Sequence, residues 1–244
     1  MSKLRLDQAL ALKKLTTSRS QAESEIKLGK VKVDGKVITK PGHFVDSSDV
    51  IVLTNKEKYV SRAGLKLASV AKNLTLDFKD AIVLDIGSST GGFTDYALQH
   101  GAKKVIAVDV GTEQLHPNLR GNSKIELHEK TDIRDFVLPK NTKLPTIIVA
   151  DISFMSLRYI LPHVAQNLSN KDTKIVTMVK PQFEAGKDQV NKGVIKNEAV
   201  RRKVLRDFET WARQYFVIAD KRDSEVAGAK GNQERFYLLK QLTH

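Results

Sequence analysis

The segment AIVLDIGSSTGGFTDYAL, residues 81–98, runs from an apolar stretch through a glycine-rich turn into a stretch of helical pattern. Gly87, Gly91 and Gly92 allow the backbone to approach a ligand closely, and amides at a helix start favour polar or anionic groups. Asp85, at the strand end, is placed to meet a ligand's amino group, and Ser88, Ser89, Thr90 and Phe93 complete the loop. The next apolar run ends at Asp109, 22 residues after Gly87, where a carboxylate can hold both hydroxyls of an adenosine ribose. In IELHEKTDIRDF, Asp132 stands where it can meet an adenine edge; the other reading is a solvated surface acid. The GxxxGG spacing departs from the dinucleotide GxGxxG pattern, which favours S-adenosylmethionine and leaves a nicotinamide cofactor as the alternative.

An activated methyl group needs an attacking atom held in line with it and relieved of its proton. A lysine made less basic by burial or a neighbouring cation is a suitable base for a ribose hydroxyl. Asp151 ends the apolar run TIIVADI, and Lys180 ends KIVTMVK, followed by Pro181 and the loop QFEAGKDQ. α/β enzymes place their sites at such strand ends. The chain has no cysteine, so pyrimidine C5 methylation through a covalent cysteine adduct is excluded. It also lacks an Asn-Pro-Pro-aromatic segment suited to exocyclic amines. Oxygen is the expected acceptor.

The elements that must position these residues follow from hydrophobic period. AIVLDI, KVIAVDV, TIIVADI and KIVTMVK are apolar runs of strand length separated by helix-length segments, the pattern of a parallel α/β sheet. YVSRAGLKLASVAKNL precedes them with helical spacing, and YFVIADKRDSEV and ERFYLLKQL supply two closing strands. Upstream, RLDQALALKKL and SRSQAESEIKLG read as two helices, the second capped by Thr17 or Ser18 and stopped at Gly29. VKVDGKVI is a hairpin turning at Asp34-Gly35, and DSSDVIVL is a further strand. Polar Thr54–Lys58 reads as a linker, dividing the chain into residues 1–58 and 59–244. The expected fold class is α/β: a Rossmann-like, S-adenosylmethionine-dependent methyltransferase sheet with a small N-terminal α+β domain.

Composition narrows the partner. Of 244 residues, 41 are Lys or Arg and 28 Asp or Glu, a net charge of +13, with 41% hydrophobic residues for a packed core. Such an excess suits a polyanion through phosphate contacts and counterion release. The first 58 residues hold 12 basic and 7 acidic side chains, the more basic part for its length. The absence of cysteine fits a reducing cytoplasm. MSKLRLDQAL carries no signal-like apolar stretch, and apolar runs such as Leu144 to Ala150 fall short of the ~20 residues of a membrane helix. No metal site and no membrane partner are expected.

The motifs RLDQAL, SRSQAESEIKLGKVKVDGKVITKPG, YVSRAGLKL, LDIGSSTGGFTDYALQHGAKKVIAVDVG, ADISFMSL, VKPQFEAGK and GNQERFYLL, in this order, cover nearly the whole chain. Through them the chain resembles the TlyA (hemolysin A) family of ribosomal RNA 2′-O-methyltransferases, which join an S4 RNA-binding domain to an FtsJ-like methyltransferase domain. The resemblance implies a Lys-Asp-Lys-Glu catalytic set at Lys66, Asp151, Lys180 and Glu234. Lys180 would be the base, Asp151 its orienting carboxylate, and Lys66 with Glu234 would shape the field and hold the ribose. Lys66 and Glu234 rest on the resemblance alone. It further implies S-adenosyl-L-methionine as cofactor and a cytidine ribose of ribosomal RNA or ribosomal subunits as substrate. Large-subunit RNA is the first expectation because the chain stops soon after its last strand, as shorter members do. The expected RNA face comprises Arg5, Arg19, Lys27, Lys30 and Lys32, reading phosphates and shape. One departure is TEQLHPNLRGNSKI after Gly111, where members more often carry an aromatic and a tryptophan. Rival expectations are a noncatalytic RNA-binding or ribosome-assembly factor, a membrane-lytic protein, and a nicotinamide-dependent reductase.

Overall fold

A computed structural model describes residues 3–27, 29–54, 58–140, 142–186, 189–228 and 231–242. The linker positions 55–57 and the loop positions 187–188 therefore lie outside the described residues. The chain divides into two compact units, Met1–Lys58 and Tyr59–His244.

In the first unit, β1 (Leu4–Arg5) leads into α1 (Leu6–Leu12), then α2 (Arg19–Lys27), β2 (Val31–Val33), β3 (Lys36–Ile38), β4 (Phe44–Val45) and β5 (Ile51–Leu53). The helical pattern starting at Leu4 is shortened because Leu4 and Arg5 pair with Val45 and Phe44. Ser18 Oγ accepts from the Gln21 amide at 3.1 Å, the capping bond its residue type favours. Asp34 and Gly35 have φ of 48° and 78°, the paired positive values of a tight type I′ turn joining β2 to β3. Leu6, Leu10, Ala22, Ile26, Val31, Val33 and Val45 form a core belonging to this unit alone.

The second unit contains α3 (Arg62–Ala71), β6 (Ile82–Ile86), α4 (Gly92–Gln99), β7 (Lys104–Val108), β8 (Ile125–His128), β9 (Ile147–Ala150), α5 (Leu161–His163), β10 (Lys174–Val179), α6 (Pro181–Glu184), α7 (Glu198–Ala212), β11 (Phe216–Asp223) and β12 (Arg235–Gln241). They build a seven-stranded sheet in the order β11-β12-β10-β9-β6-β7-β8. The five strands from β10 to β8 are parallel, while β12 runs antiparallel to both β10 and β11. The inner strands β6, β7, β9 and β10 are largely apolar because both of their faces are covered, while the edge strands β8 and β11 carry charged residues. Val83, Val105, Val149 and Met178 face Leu67, Val70, Phe93 and Tyr96 of α3 and α4. Leu84, Ile106, Ile148 and Ile175 face Val164, Leu205 and Phe208 on the other side.

One expectation fails in part. Among the described residues, no α-helix separates β7 from β8 or β8 from β9, and α5 is a single turn continuing as a π-helical stretch, Val164–Leu168. Each connection leaves its strand at the sheet's C-terminal edge, where Val110, Gln114, Thr131 and Asp132 wall the cleft described below, before returning to start the next parallel strand.

α3 and α4 pack closely through two glycines. A Cβ on Gly64 would lie 2.5 Å from Tyr59 Cβ and 2.9 Å from the Gly92 carbonyl oxygen, and one on Gly92 would run into Ser61 Oγ. An alanine inside a helix ordinarily gains about 1 kcal/mol over glycine. Here overpacking of about 1–3 kcal/mol outweighs it. Gly64→Ala is thus expected to lower the thermal midpoint by several degrees in calorimetry; an unchanged or raised midpoint would show that the contact yields.

Candidate active site

β6 is flanked by β7 on one side and β9 on the other. Chain direction away from β6 therefore reverses there, and the carboxyl ends of the strands open a crevice. A cleft of about 290 Å³ is lined by Gly87, Ser89, Asp109, Val110, Gln114, Asp132, Asp151, Ser153 and Phe154, among others. A smaller one, about 140 Å³, is lined by Asp85, Gly87, Ser88, Ser89, Thr90, Gly92, Phe93, Asp151, Ser153, Lys180 and Ala63. Gly87, Ser89, Asp151 and Ser153 border both.

The glycine loop closes for steric reasons. Gly87 has φ of 75°, and a Cβ there would stand 2.9 Å from the Asp151 carbonyl oxygen. Gly91 has φ of 88° and heads α4, with its space filled by Leu115 and Leu119. Beneath the loop, Asp85 Oδ2 accepts from Thr94 Oγ1 at 2.6 Å. Asp85 Oδ1 and Ser88 Oγ are buried without a hydrogen-bond partner among the described residues. Burial pushes the Asp85 carboxyl up to about 7, against the Thr94 bond and with added repulsion from Asp151 and Asp109. A buried carboxylate oxygen and a hydroxyl facing a cleft suit a cationic, hydrogen-bonding group such as an amino-acid ammonium. Phe93 borders this cleft, but its ring is core, with its centroid 6.1 Å from that of Phe236.

Asp109, directly after β7, has both oxygens engaged: Oδ2 accepts from the Ser89 amide at 2.8 Å and Oδ1 from the Gly111 amide at 2.7 Å. It ties the glycine loop to the segment after β7, and Gln114 adds a bond to Ser89 Oγ at 3.0 Å. Asp132 lines the larger cleft and is gripped by Arg134, through Nε at 3.0 Å and Nη2 at 2.6 Å. That bond holds the Asp132 carboxyl below its usual range. The sequence reading missed Arg134 and Gln114, whose roles depend on how their loops fold back.

At the adjoining strand ends, Lys180 Nζ lies 2.6 Å from Asp151 Oδ1 and donates to Ser153 Oγ at 2.6 Å. Register explains the meeting. Ala150 is level with Thr177 in the parallel β9–β10 pair, so both chains leave the sheet side by side. Across β10, Val179 pairs with Arg235, and one step further brings Glu234 level with Lys180. Glu234 is almost fully buried and forms a 2.6 Å ion pair with Lys66 of α3. The Gly228 α-carbon packs on the Glu234 carboxylate, leaving no room for a side chain. All four residues of the Lys-Asp-Lys-Glu set thus gather at this edge as two ion pairs. Ser153, two residues past Asp151, was not singled out in sequence.

In the first unit, Arg5 and Arg19 meet on one buried acid. Arg5 Nε donates to Asp7 Oδ1 at 3.0 Å and Arg19 Nε to Asp7 Oδ2 at 2.9 Å. The Arg5 bond, aided by Arg19, brings the Asp7 carboxyl down to about 2 despite its burial. Lys27 pairs weakly with Glu23 at 3.8 Å, and Lys30 with Glu25 at 3.1 Å. Lys32 sits between buried Val31 and Val33 on β2 and so points to the opposite face.

Comparison with known proteins adds the family. The FtsJ-like methyltransferase family matches residues 59–241, and the S4 domain family matches residues 4–51. The chain is 35% identical over 252 residues to the 16S/23S rRNA (cytidine-2′-O)-methyltransferase TlyA of Mycobacterium tuberculosis, covering 98% of this chain and 90% of that one. The chain belongs to the TlyA family of FtsJ-like methyltransferases. A second member, the 23S rRNA (cytidine-2′-O)-methyltransferase TlyA of Campylobacter jejuni, is 42% identical over 184 residues, 74% of this chain and 70% of its own. A solved structure from Streptococcus thermophilus that carries the family's hemolysin name superposes with a TM-score of 0.76 at 38% identity, covering 99% of this chain and 89% of that one. Fold and family together imply use of S-adenosylmethionine. Among the described residues, no helix is long and apolar enough to cross a membrane, and no group of three or more His, Cys, Asp or Glu could hold a metal ion.

Proposed function

We propose that the chain transfers a methyl group from S-adenosylmethionine to the 2′-oxygen of a cytidine ribose in ribosomal RNA. Large-subunit RNA is the first expected target and small-subunit RNA a second. The observation that carries the reading is the Lys180 amine held between Asp151 and Ser153, 2.6 Å from each, on the wall it shares with the glycine loop. The relatives' cytidine-2′-O activity, named for both subunits in one case and for 23S RNA in the other, supports the acceptor atom and the base. RNA of this kind makes the cytoplasm the expected place of action.

When bound, S-adenosylmethionine supplies a methyl group activated by its sulfonium centre. Asp85 Oδ1 and Ser88 Oγ, buried and lacking partners, would take its amino-acid end. Thr90 and Gly92 would present backbone amides at the start of α4, with Ser89 and Gly91 shaping the loop through their own amide bonds. Asp109 would make the ribose contacts and Asp132 meet the adenine edge. Phe93 would act from below by fixing the loop. In the resting site Lys180 is the ammonium partner of Asp151. After loss of that proton, the amine lone pair stays aimed by Asp151 and Ser153 and takes the proton of the ribose 2′-hydroxyl. The Asp151 carboxylate then offsets the charge that forms on Lys180. Glu234, fixed by Lys66, would accept from a neighbouring ribose hydroxyl and orient the sugar.

The direct test is incubation of the purified chain with isotopically labelled cofactor and separated ribosomal subunits, followed by mass spectrometry of nuclease fragments. A labelled methyl on a cytidine ribose is expected. Label on a base atom, or none in either subunit or in free RNA, would overturn the reading.

We further propose that the S4 unit docks the RNA, with Arg5, Arg19, Lys27, Lys30 and Lys32 meeting phosphates. Asp7 holds Arg5 and Arg19 with donors still exposed to solvent, a pre-ordered fork for phosphate oxygens. Each unit has its own core. Deleting residues 1–58 is therefore expected to leave cofactor affinity within about threefold while methylation of subunits falls by about 100-fold or more, as loss of several phosphate contacts implies. Calorimetry and filter-binding methylation read the two quantities; undiminished methylation would remove the docking role.

A further inference from the structure

The two strand ends that carry Asp151 and Lys180 are joined a second time, behind the reactive pair. At the end of α6, Glu184 turns back to the loop that follows β9. Its Oε2 accepts from Ser156 Oγ at 2.5 Å and its Oε1 from the Leu157 amide at 2.8 Å. Between the two links, the Phe183 ring meets that of Phe154 with centroids 5.5 Å apart.

Neither side of this junction is rigid by itself. α6 is four residues long, too short to be stable without tertiary contacts. The facing loop contains Phe154 at φ 70°, a strained value for a bulky residue, which persists only where its surroundings impose it. The side chain of Glu184 is 1% exposed, and burial raises its carboxyl above the usual range. Its nearest cation, Arg158, stands 3.6 Å away through Nε, beyond a strong hydrogen bond. An apolar residue would fill the same space without a buried charge. What the carboxylate provides instead is two directed bonds fixing Ser156 and Leu157, a few residues after Asp151 and Ser153.

We propose that Glu184 is a positioning residue for methyl transfer. By clamping Ser156 and Leu157, it holds the Asp151–Ser153 loop against the Lys180 turn and keeps the lysine amine pointed at the acceptor oxygen. The inference rests on the reading of Lys180 as the base.

The test uses the full chain carrying Glu184→Ala, Glu184→Gln or Ser156→Ala, each also combined with Asp151→Asn. Cofactor affinity and stoichiometry are read by calorimetry, and single-turnover methylation is measured on saturating ribosomal subunits. Glu184→Ala is expected to slow the single turnover by about 10- to 100-fold, the cost of a displacement near 1 Å, with cofactor stoichiometry unchanged. Glu184→Gln keeps an acceptor and should recover most of the rate. In the Asp151→Asn background the Ala substitution should cost far less, because the geometry it protects is already lost. If Glu184→Ala does not fold, Ser156→Ala removes one of the two bonds and is expected to slow transfer by about threefold to tenfold. A rate loss matching the lost cofactor-binding sites, full additivity with Asp151→Asn, or an unaffected Ser156→Ala would each overturn the positioning role. An active Lys180→Ala would instead sink the base assignment, whatever the Glu184 variants do.

Discussion

Replacing Lys180 by methionine is expected to reduce single-turnover methylation by about three orders of magnitude while cofactor affinity stays within about threefold, the range of a lost general base. Methionine keeps much of the volume and removes the amine, so the neighbouring packing of Pro181 and Val179 is retained. Asp151 is left without its partner, yet its side chain is 17% exposed, so water can solvate the freed carboxylate. Arginine at the same position should fare no better, since a guanidinium keeps its proton and cannot accept another. Labelled methyl transfer under single-turnover conditions separates the chemical step from substrate release. A Lys180→Met protein retaining more than about a tenth of the wild-type rate would mean that another group takes the proton, because base catalysis is worth at least 100-fold.

The second large effect belongs to Asp85. Its carboxyl is pushed from 3.8 up to about 7, chiefly by burial. Because the folded-state value lies above the unfolded one, the folded protein without cofactor holds a proton at Asp85 that the unfolded chain releases between about pH 4 and pH 7. This group's contribution to stability therefore falls as pH rises through that window, and the full cost of the buried charge is borne above about pH 7. A cofactor ammonium on Oδ1 favours the ionised form. Binding below pH 7 must then expel the proton, so affinity should weaken by up to about tenfold per unit as pH falls below 7. Asp85→Asn keeps the shape and removes the charge. It should raise the thermal midpoint at pH 8 in the absence of cofactor, remove the loss of affinity below pH 7, and weaken the cofactor by about 10- to 100-fold, as expected for one charge-assisted bond. Calorimetry from pH 6 to 8.5 in buffers of different ionisation enthalpy measures both the affinity and the proton released. A pH-independent affinity in the unsubstituted chain would refute the assignment of Asp85 to the ammonium.

Arg134 and Gln114 mark where reading in one dimension stops. Asp109 stood out as a ligand candidate because it follows an apolar run, and Asp132 more weakly, with a solvated surface acid as the other reading. Arg134, which grips Asp132, and Gln114, which meets Ser89 of the glycine loop, did not stand out, because each side chain reaches its partner only if its loop turns back, and no local pattern dictates that turn. The missing crossover helices around β8 have the same origin. Helix-length spacing bounds what a connection can be, but burial against the sheet decides whether the helix forms.

Hydrophobic period and turn chemistry by themselves determined the apolar strands β6, β7, β9 and β10, the Asp34-Gly35 hairpin, the glycine loop before α4, and Asp151 and Lys180 at strand ends. These are local properties, written in neighbouring side chains and in glycines with positive φ. Only the tertiary structure decided which strands lie side by side, that β12 enters antiparallel beside β10, and hence that Glu234 comes level with Lys180 and within 2.6 Å of Lys66. Those meetings depend on register between segments far apart in the chain. Register is settled by how whole sheet faces bury their side chains, a sum over many contacts that no single motif contains.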